Sequence, residues 1–263
     1  MSVVGERFEL VREAGAGGMG VVWEARDRAS GERVAVKVLG DRAHDERFLR
    51  EAEVLAALEH DAIVKYIAHD RGWLAMEWLD GEDLGQRLER GAMSIDECTA
   101  LASRVAGAIA VAHAQGIVHR DLKPGNVFLV GGDAARAKVL DFGLARDLTQ
   151  SSRPLTMVGA VMGSIGFLSP EQARGQPNVD ARSDVFSLGC ILFECWTGRP
   201  AFSGAHAVAV LAKLLVEDAP RVRSVRADAP RALDELVARM LERDPEKRPR
   251  DAGAVRDALA ELT

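Results

Sequence analysis

The sequence predicts an α+β chain in two unequal parts: a small antiparallel sheet carrying one helix, then a larger lobe that is mostly helical. Three observations carry that expectation. Short runs rich in β-branched residues crowd roughly the first 80 positions, interrupted by one amphipathic stretch, "DERFLREAEVLAALEH". Beyond them, capped segments of helical period dominate. One polar stretch, "GIVHRDLKPGNVFLV" (Gly116–Val130), breaks into that helical region between two apolar runs.

Each element can be justified in order. Strands are expected at "RFELVREAG" and "GVVWEARD", on either side of a glycine cluster, and at "ERVAVKVL" after the turn "ASG". Two more follow, "IVKYIAHD" and "GWLAMEWL", joined at Asp70-Arg71-Gly72. In the intervening helix Phe48, Glu51, Leu55 and Leu58 recur at helical spacing, which puts Glu51 on the apolar face. "SIDE" (Ser94–Glu97) is a capping box opening the helix "CTALASRVAGAIAVAHAQ", and Gly116 suits its end. "SDVFSLGCILFECWTG" is apolar nearly all round, the mark of a buried helix, and stops at Gly198 before Pro200. "RALDELVARMLER" and "DAGAVRDALAEL" are the last two helices. In the polar stretch, "IV" and "VFLV" read as short buried strands holding a charged loop. The expected division is one domain over 1–263, with a small lobe at 1–79 and a large lobe at 80–263.

The totals narrow the function. With 48% hydrophobic residues and a net charge of -6, the chain reads as soluble and globular, and the charge argues against nucleic acid as its main partner. The basic run Arg243–Arg250 is interrupted by acids and reads as a solvated helix end. Cys98, Cys190 and Cys195 cannot all pair and lack metal-ligand spacing, so they read as free thiols in a reducing compartment. The N-terminus has no signal-peptide pattern, and no apolar segment approaches the roughly 20 residues that span a bilayer. A cytoplasmic protein with no membrane segment in this chain is the expectation. Its 28 arginines against 6 lysines point to a GC-rich, bacterial coding sequence.

Four clusters carry chemistry. Gly15, Gly17 and Gly20 form G-x-G-x-x-G, with Gly18 inside it and Val22 beyond. In a dinucleotide fold such glycines lead from a strand into a helix, whereas here "VVWEA" follows, so they join two strands. A hairpin without side chains can lie directly on phosphates; on this motif alone a plain glycine hairpin stays open. Lys37 lies in the apolar strand "VAVKVL", where an unpaired ammonium is costly. Pairing it with Glu51 would relieve both charges, and snorkelling of Lys37 to solvent is the alternative. Asn126 and Asp141 are hard oxygen ligands of the kind magnesium accepts. Asp121 is a carboxylate able to take a proton, and Lys123 a compact positive charge.

Taken in order, "GAGGMGVV", "VAVK", "HRDLKPGN", "DFG" and "SPE" resemble the eukaryotic-type (Hanks-type) serine/threonine protein kinases, from about Phe8 to the end of the chain. The resemblance implies a bilobal kinase-like fold and an enzyme of signal transduction. Such an enzyme transfers the γ-phosphoryl group of ATP, with magnesium, to Ser/Thr hydroxyls of protein substrates. It further implies that Gly15, Gly17, Gly18 and Gly20 cover ATP, and that Val22, Ala35 and Phe128 enclose the adenine. Met76 corresponds to the gatekeeper, and Glu77 to Leu79 to the segment offering backbone hydrogen bonds. Lys37, held by Glu51, would grip the α- and β-phosphates, and Asn126 and Asp141 would hold magnesium. Asp121 would orient the attacking hydroxyl and accept its proton, while Lys123 neutralises charge on the moving group.

By the same resemblance Glu171 pairs with Arg248, and Asp184 accepts hydrogen bonds from the backbone around His119 and Arg120. Arg120 would meet a phosphate on the loop between "DFG" and "SPE", with Thr156 the favoured autophosphorylation site among Thr149, Ser151, Ser152 and Thr156. Ser164 and Phe167 replace the family's usual threonine and tyrosine, Ala14 its larger aliphatic residue, and Phe128 is bulky for its place. A scaffold without activity would be expected to lack Lys37, Asp121 or Asp141, and a small-molecule kinase the "SPE" segment. Neither departure is present. A homodimer through the back of the small lobe is compatible with this pattern.

Overall fold

A computed structural model describes residues 2–17, 20–39, 46–142 and 165–262, leaving aside the side chains of residues 46, 47, 50 and 51. The chain divides into two compact units, Met1–Asp80 and Gly81–Thr263.

The first unit is a six-stranded antiparallel sheet in the order β1-β2-β3-β4-β6-β5. Its strands are β1 (Val3–Val4), β2 (Phe8–Gly17), β3 (Gly20–Asp27), β4 (Arg33–Val38), β5 (Tyr66–Asp70) and β6 (Trp73–Glu77), with α1 (Glu46–Ala57) between β4 and β5. Alternation sorts the side chains onto two faces. Phe8, Ala25, Val34, Val36 and Ala75 form a buried cluster with Trp73 and Ile67 on one. The β3 and β4 register opposes Val22 to Lys37, while β4 and β6 oppose Ala35 to Met76 and Lys37 to Leu74. Those five residues therefore share the other face. The β3–β4 turn is held by Asp27, whose buried carboxylate accepts from Arg7 Nε at 2.8 Å, Ala29 N at 2.9 Å and Ser30 Oγ at 3.2 Å. The hydrogen bond from Arg7 is the main reason this carboxyl titrates well below the usual carboxylate range. On α1 the apolar stripe is buried as expected, through Phe48, Ala52 and Leu55.

The second unit carries a three-stranded sheet, β7 (Gly81–Asp83), β8 (Val127–Val130) and β9 (Ala137–Val139), and the helices. These are α2 (Leu84–Leu88), α3 (Ile95–Ala114), α4 (Pro170–Ala173), α5 (Ala181–Thr197), α6 (Ala207–Val216), α7 (Val222–Val225), α8 (Arg231–Met240) and α9 (Ala252–Ala260). The Ser94–Glu97 capping box opens α3. Its end is a Schellman turn: Gly116, at φ +74°, donates to His113 O, and Ile117 donates to Ala112 O. Helix α5 is buried along most of its length and ends at left-handed Gly198, where a Cβ would meet Ala92 N at 3.0 Å. Both α8 and α9 pack against its neighbourhood, α9 chiefly against α3.

The α+β class expected from the sequence is the one observed. One local expectation is corrected and one unexpected helix is found. Ile117 and Val118 do not form a strand, because the Ile117 N–H closes the Schellman turn instead of joining a ladder. The strongly apolar α6 was not expected, since "AVAVLAKLLV" lacks the polar stripe that marks an amphipathic helix. Among the described residues, no helix is long and apolar enough to cross a membrane. All three cysteines are free and buried, and burial pushes the Cys190 thiol well up.

Candidate active site

The loop following α3 gathers the charged residues into one constellation. His119 is fully buried, its Nε2 lies 3.0 Å from Leu140 O, and its Nδ1 accepts from Asp121 N at 3.3 Å. The ring proton therefore sits on Nε2 and is donated to Leu140. Leu140 N in turn donates to Asn126 O at 2.9 Å, which fixes the residue before Asp141 against the loop. Ring contact at 4.8 Å between His119 and Phe142 ties the following residue down as well. A single turn of 3-10 helix, Pro124–Asn126, leads from the loop into β8.

Within the loop, Lys123 Nζ donates to Asp121 Oδ2 at 2.7 Å. Asn126 Nδ2 donates to Asp121 O at 2.8 Å and to Asp121 Oδ2 at 3.2 Å. That orientation turns Oδ1 of Asn126, an oxygen ligand, away from Asp121. The donor set offered by Asn126 and Asp141 is thus hard oxygen, which fits magnesium.

Two residues of this constellation hold non-glycine left-handed backbone, Arg120 at φ +65° and Asp141 at φ +44°; among the described residues Glu6, at φ +58°, is the third. Such conformations cost on the order of 1–3 kcal/mol each and need support from their surroundings. For Arg120 the support is visible. Its N–H donates to Asp184 Oδ1 at 2.8 Å, beside His119 N on Asp184 Oδ2 at 2.7 Å. Its carbonyl accepts from Gln172 Nε2 at 2.8 Å. Gln172 was not foreseen, although its place in the Ser169–Gln172 capping box was readable as S-x-x-Q. The Nε of Arg120 is buried and has no hydrogen-bond partner among the described residues.

Behind the loop stands a buried ion pair. Arg248 reaches Glu171 through Nη1 at 2.7 Å and Nη2 at 2.9 Å, and Ser183 Oγ donates to Glu171 at 2.5 Å. Burial would raise the Glu171 pKa, but the Arg248 guanidinium outweighs it and holds the carboxyl below its ordinary value.

In the first unit, Val22, Ala35, Lys37 and Met76 lie on one sheet face, and Lys37 is 6% exposed. Glu77 N–H already donates to Lys65 O at 2.9 Å, so a backbone donor from this segment has to come from a later residue such as Leu79. The glycines divide by cause. Gly20, at φ +153°, could not carry a Cβ, which would lie 2.2 Å from Val38 O. A Cβ on Gly15 would meet nothing within 4 Å, so the fold itself makes no demand for glycine there. Gly17 ends β2 opposite Gly20. Gly18, the Glu51 side chain, Thr156 and Ser164 lie outside the described residues. Phe128 sits in β8 opposite Lys138 and Asp83.

An antiparallel sheet with one helix, a helical unit, and a loop in which a lysine and an asparagine converge on one aspartate define a protein kinase fold. Residues 8–259 match the protein kinase domain, and the chain belongs to that family. It is 39% identical to the serine/threonine-protein kinase PknB of Mycobacterium tuberculosis over 99% of this chain and 44% of that protein. The chain thus spans less than half the length of the curated relatives it matches. The crystal structure of the Mycobacterium tuberculosis PknI kinase domain superposes with a TM-score of 0.75 at 28% identity, covering 99% of this chain and 98% of that one. Rad53 1-466 in complex with AMP-PNP gives 0.78 at 25% identity, covering 95% and 64%.

Proposed function

We propose that the chain is the catalytic domain of a serine/threonine protein kinase that transfers the γ-phosphoryl group of ATP to protein hydroxyls. The observation that carries this reading is the convergence of Lys123 and Asn126 on Asp121 Oδ2, on a loop anchored by Asp184. Its relation to PknB and the nucleotide analogue bound to Rad53 support it further. In this reading Asp121 orients the acceptor hydroxyl and takes its proton, and Lys123 offsets negative charge as the phosphoryl group moves. Lys37 holds the α- and β-phosphates, assisted by Glu51. Val22, Ala35, Met76 and Phe128 contact the adenine, and Leu79 offers it a backbone donor. Asn126 and Asp141 hold magnesium, which when bound neutralises phosphate charge. Buried free thiols suit a reducing compartment, and we place this domain in the cytoplasm.

The test is magnesium-dependent transfer from ATP to a generic basic protein, with the labelled residues identified. Label on serine or threonine is expected for wild type and none for Asp141→Asn; transfer by both at equal rates rejects the proposal.

The glycines supply a second check. Gly20→Ala is expected to cost about 1–3 kcal/mol of stability, because its backbone and Val38 O exclude a Cβ. Gly15→Ala should leave the melting temperature unchanged and raise KM for ATP, since only the ligand needs that space. Equal destabilisation by both would remove the phosphate-covering role of Gly15.

Regulation belongs to the same reading. The buried Arg120 Nε, unpartnered among the described residues, suits a phosphate on the loop carrying Thr156. Phosphatase treatment and Thr156→Ala are each expected to lower the rate on the order of tenfold, the usual size of such coupling. Arg120→Asn, which tolerates the left-handed backbone, should be insensitive to phosphatase. Active protein with no phosphate between Gly143 and Gly163 in phosphopeptide mapping ends this part.

A further inference from the structure

His113 lies on α3, a full loop away from the charged constellation, and neither the motifs nor the proposed chemistry use it. It is nevertheless the third donor on the carboxylate that anchors that loop. His113 Nε2 lies 2.9 Å from Asp184 Oδ2, and the two side chains are 3% and 1% exposed. On the other side of the ring, Nδ1 is 3.1 Å from Ala252 N, the first residue of α9. A backbone N–H can only donate, so Nδ1 accepts and the ring proton resides on Nε2, aimed at Asp184. One ring therefore links two unlike tasks. Toward α9 it satisfies one of the helix's orphan N–H groups. Toward α5 it supplies Asp184 Oδ2 with a second hydrogen bond beside that of His119 N, while Oδ1 takes Arg120 N.

We propose that His113 is a positioning residue: its Nε2–H sets the Asp184 carboxylate, which holds left-handed Arg120 and so aims Asp121. The catalytic part of this inference rests on the protein kinase reading above; the structural part does not. With that donor gone, Oδ2 is held among the described residues by His119 N alone, and the carboxylate is free to turn about its χ2. Rotation moves the acceptor of the Arg120 N–H, the bond supporting the costly backbone conformation directly before Asp121. A displacement at Asp121 well below its hydrogen-bond length is enough to lower turnover without touching nucleotide binding.

The two ring nitrogens can be separated by substitution. In His113→Asn the amide oxygen replaces Nδ1 and keeps the Ala252 bond, but nothing reaches Asp184. In His113→Gln the amide nitrogen replaces Nε2 and keeps the Asp184 bond at the expense of the α9 contact. The asparagine variant is expected to lose kcat on the order of tenfold, with KM for ATP unchanged and little loss in melting temperature. Hydrogen exchange at the His119 and Arg120 amides should speed up in parallel. The glutamine variant should retain kcat and slow exchange while melting at a lower temperature. Falls in kcat that track melting temperature across both variants, or unaltered kcat and exchange in the asparagine variant, overturn the proposal. Exchange is read on the protein without substrate. A wild type without kinase activity would therefore sink the functional reading while still deciding whether His113 holds the loop.

Discussion

Asp121→Asn is expected to lose phosphoryl transfer by roughly 10²–10⁴-fold, the span associated with removing a positioned general base. The substitution is nearly isosteric. Its backbone N–H still donates to His119 Nδ1 and its carbonyl still accepts from Asn126, so the loop keeps its path. The Asn side-chain oxygen can also still accept from Lys123. What disappears is the negative charge and the ability to take a proton from the attacking hydroxyl. Melting temperature and KM for ATP should therefore stay close to wild type while kcat collapses. The measurement is the initial rate of magnesium-dependent transfer beside a thermal melt. Retention of more than about a tenth of the wild-type rate would show that Asp121 is not the base, whatever its neighbours.

The largest effect on stability is expected at Arg248. This guanidinium is fully buried, and besides Glu171 it donates to the carbonyls of Glu242, Arg182 and Arg243. It also lies 4.9 Å from the centre of the Phe186 ring. Arg248→Ala strips all of these at once and leaves a carboxylate buried without its counter-charge. Breaking a buried pair from one side costs about 3–5 kcal/mol, a large share of the roughly 5–15 kcal/mol that holds a protein folded. A fall in melting temperature on the order of 10 °C follows for a chain of this size. The pH dependence distinguishes this cause from simple loss of packing. In the wild type Glu171 has a folded pKa below its unfolded value, so its contribution is fully present above the unfolded value near about 4.3. It is lost as pH falls through the lower, folded value. Without Arg248, burial outweighs the remaining hydrogen bond from Ser183 and raises the Glu171 pKa, so the variant gains relative stability as pH falls and the acid becomes neutral. The stability gap between the two proteins should therefore narrow on going from pH 7 toward 4. A gap independent of pH would assign the loss to packing.

Much of the architecture was legible because its signals are local. β3 begins and ends at the residues of "GVVWEARD", since a glycine hairpin precedes it and an Asp-centred turn closes it. The Ser94–Glu97 capping box and the Gly116 turn bound α3 for reasons confined to a few consecutive residues. Helix α6 was missed for the converse reason: with apolar residues on every side, periodicity carries no information there. The strand expected at Ile117–Val118 failed because β-branched residues were read by propensity, while the preceding glycine's turn claimed the Ile117 N–H.

The site was legible in a different sense. Motif order placed Asp121, Lys123, Asn126 and Asp141 in one family pattern, and spacing along the loop makes the first three near neighbours in any fold. The supports were another matter. That Gln172 clasps the Arg120 carbonyl, and that His113 shares Asp184 with the loop, involves separations of 52 and 71 residues. No local rule connects such pairs. The sequence by itself determined the kind of protein, its elements and the identity of its charged groups, because chirality, capping and hydrophobic period act over a few residues. Only the tertiary structure decided which distant side chain satisfies each buried polar group. A carboxylate such as Asp184, removed from water, must be matched by whatever donors packing brings to it.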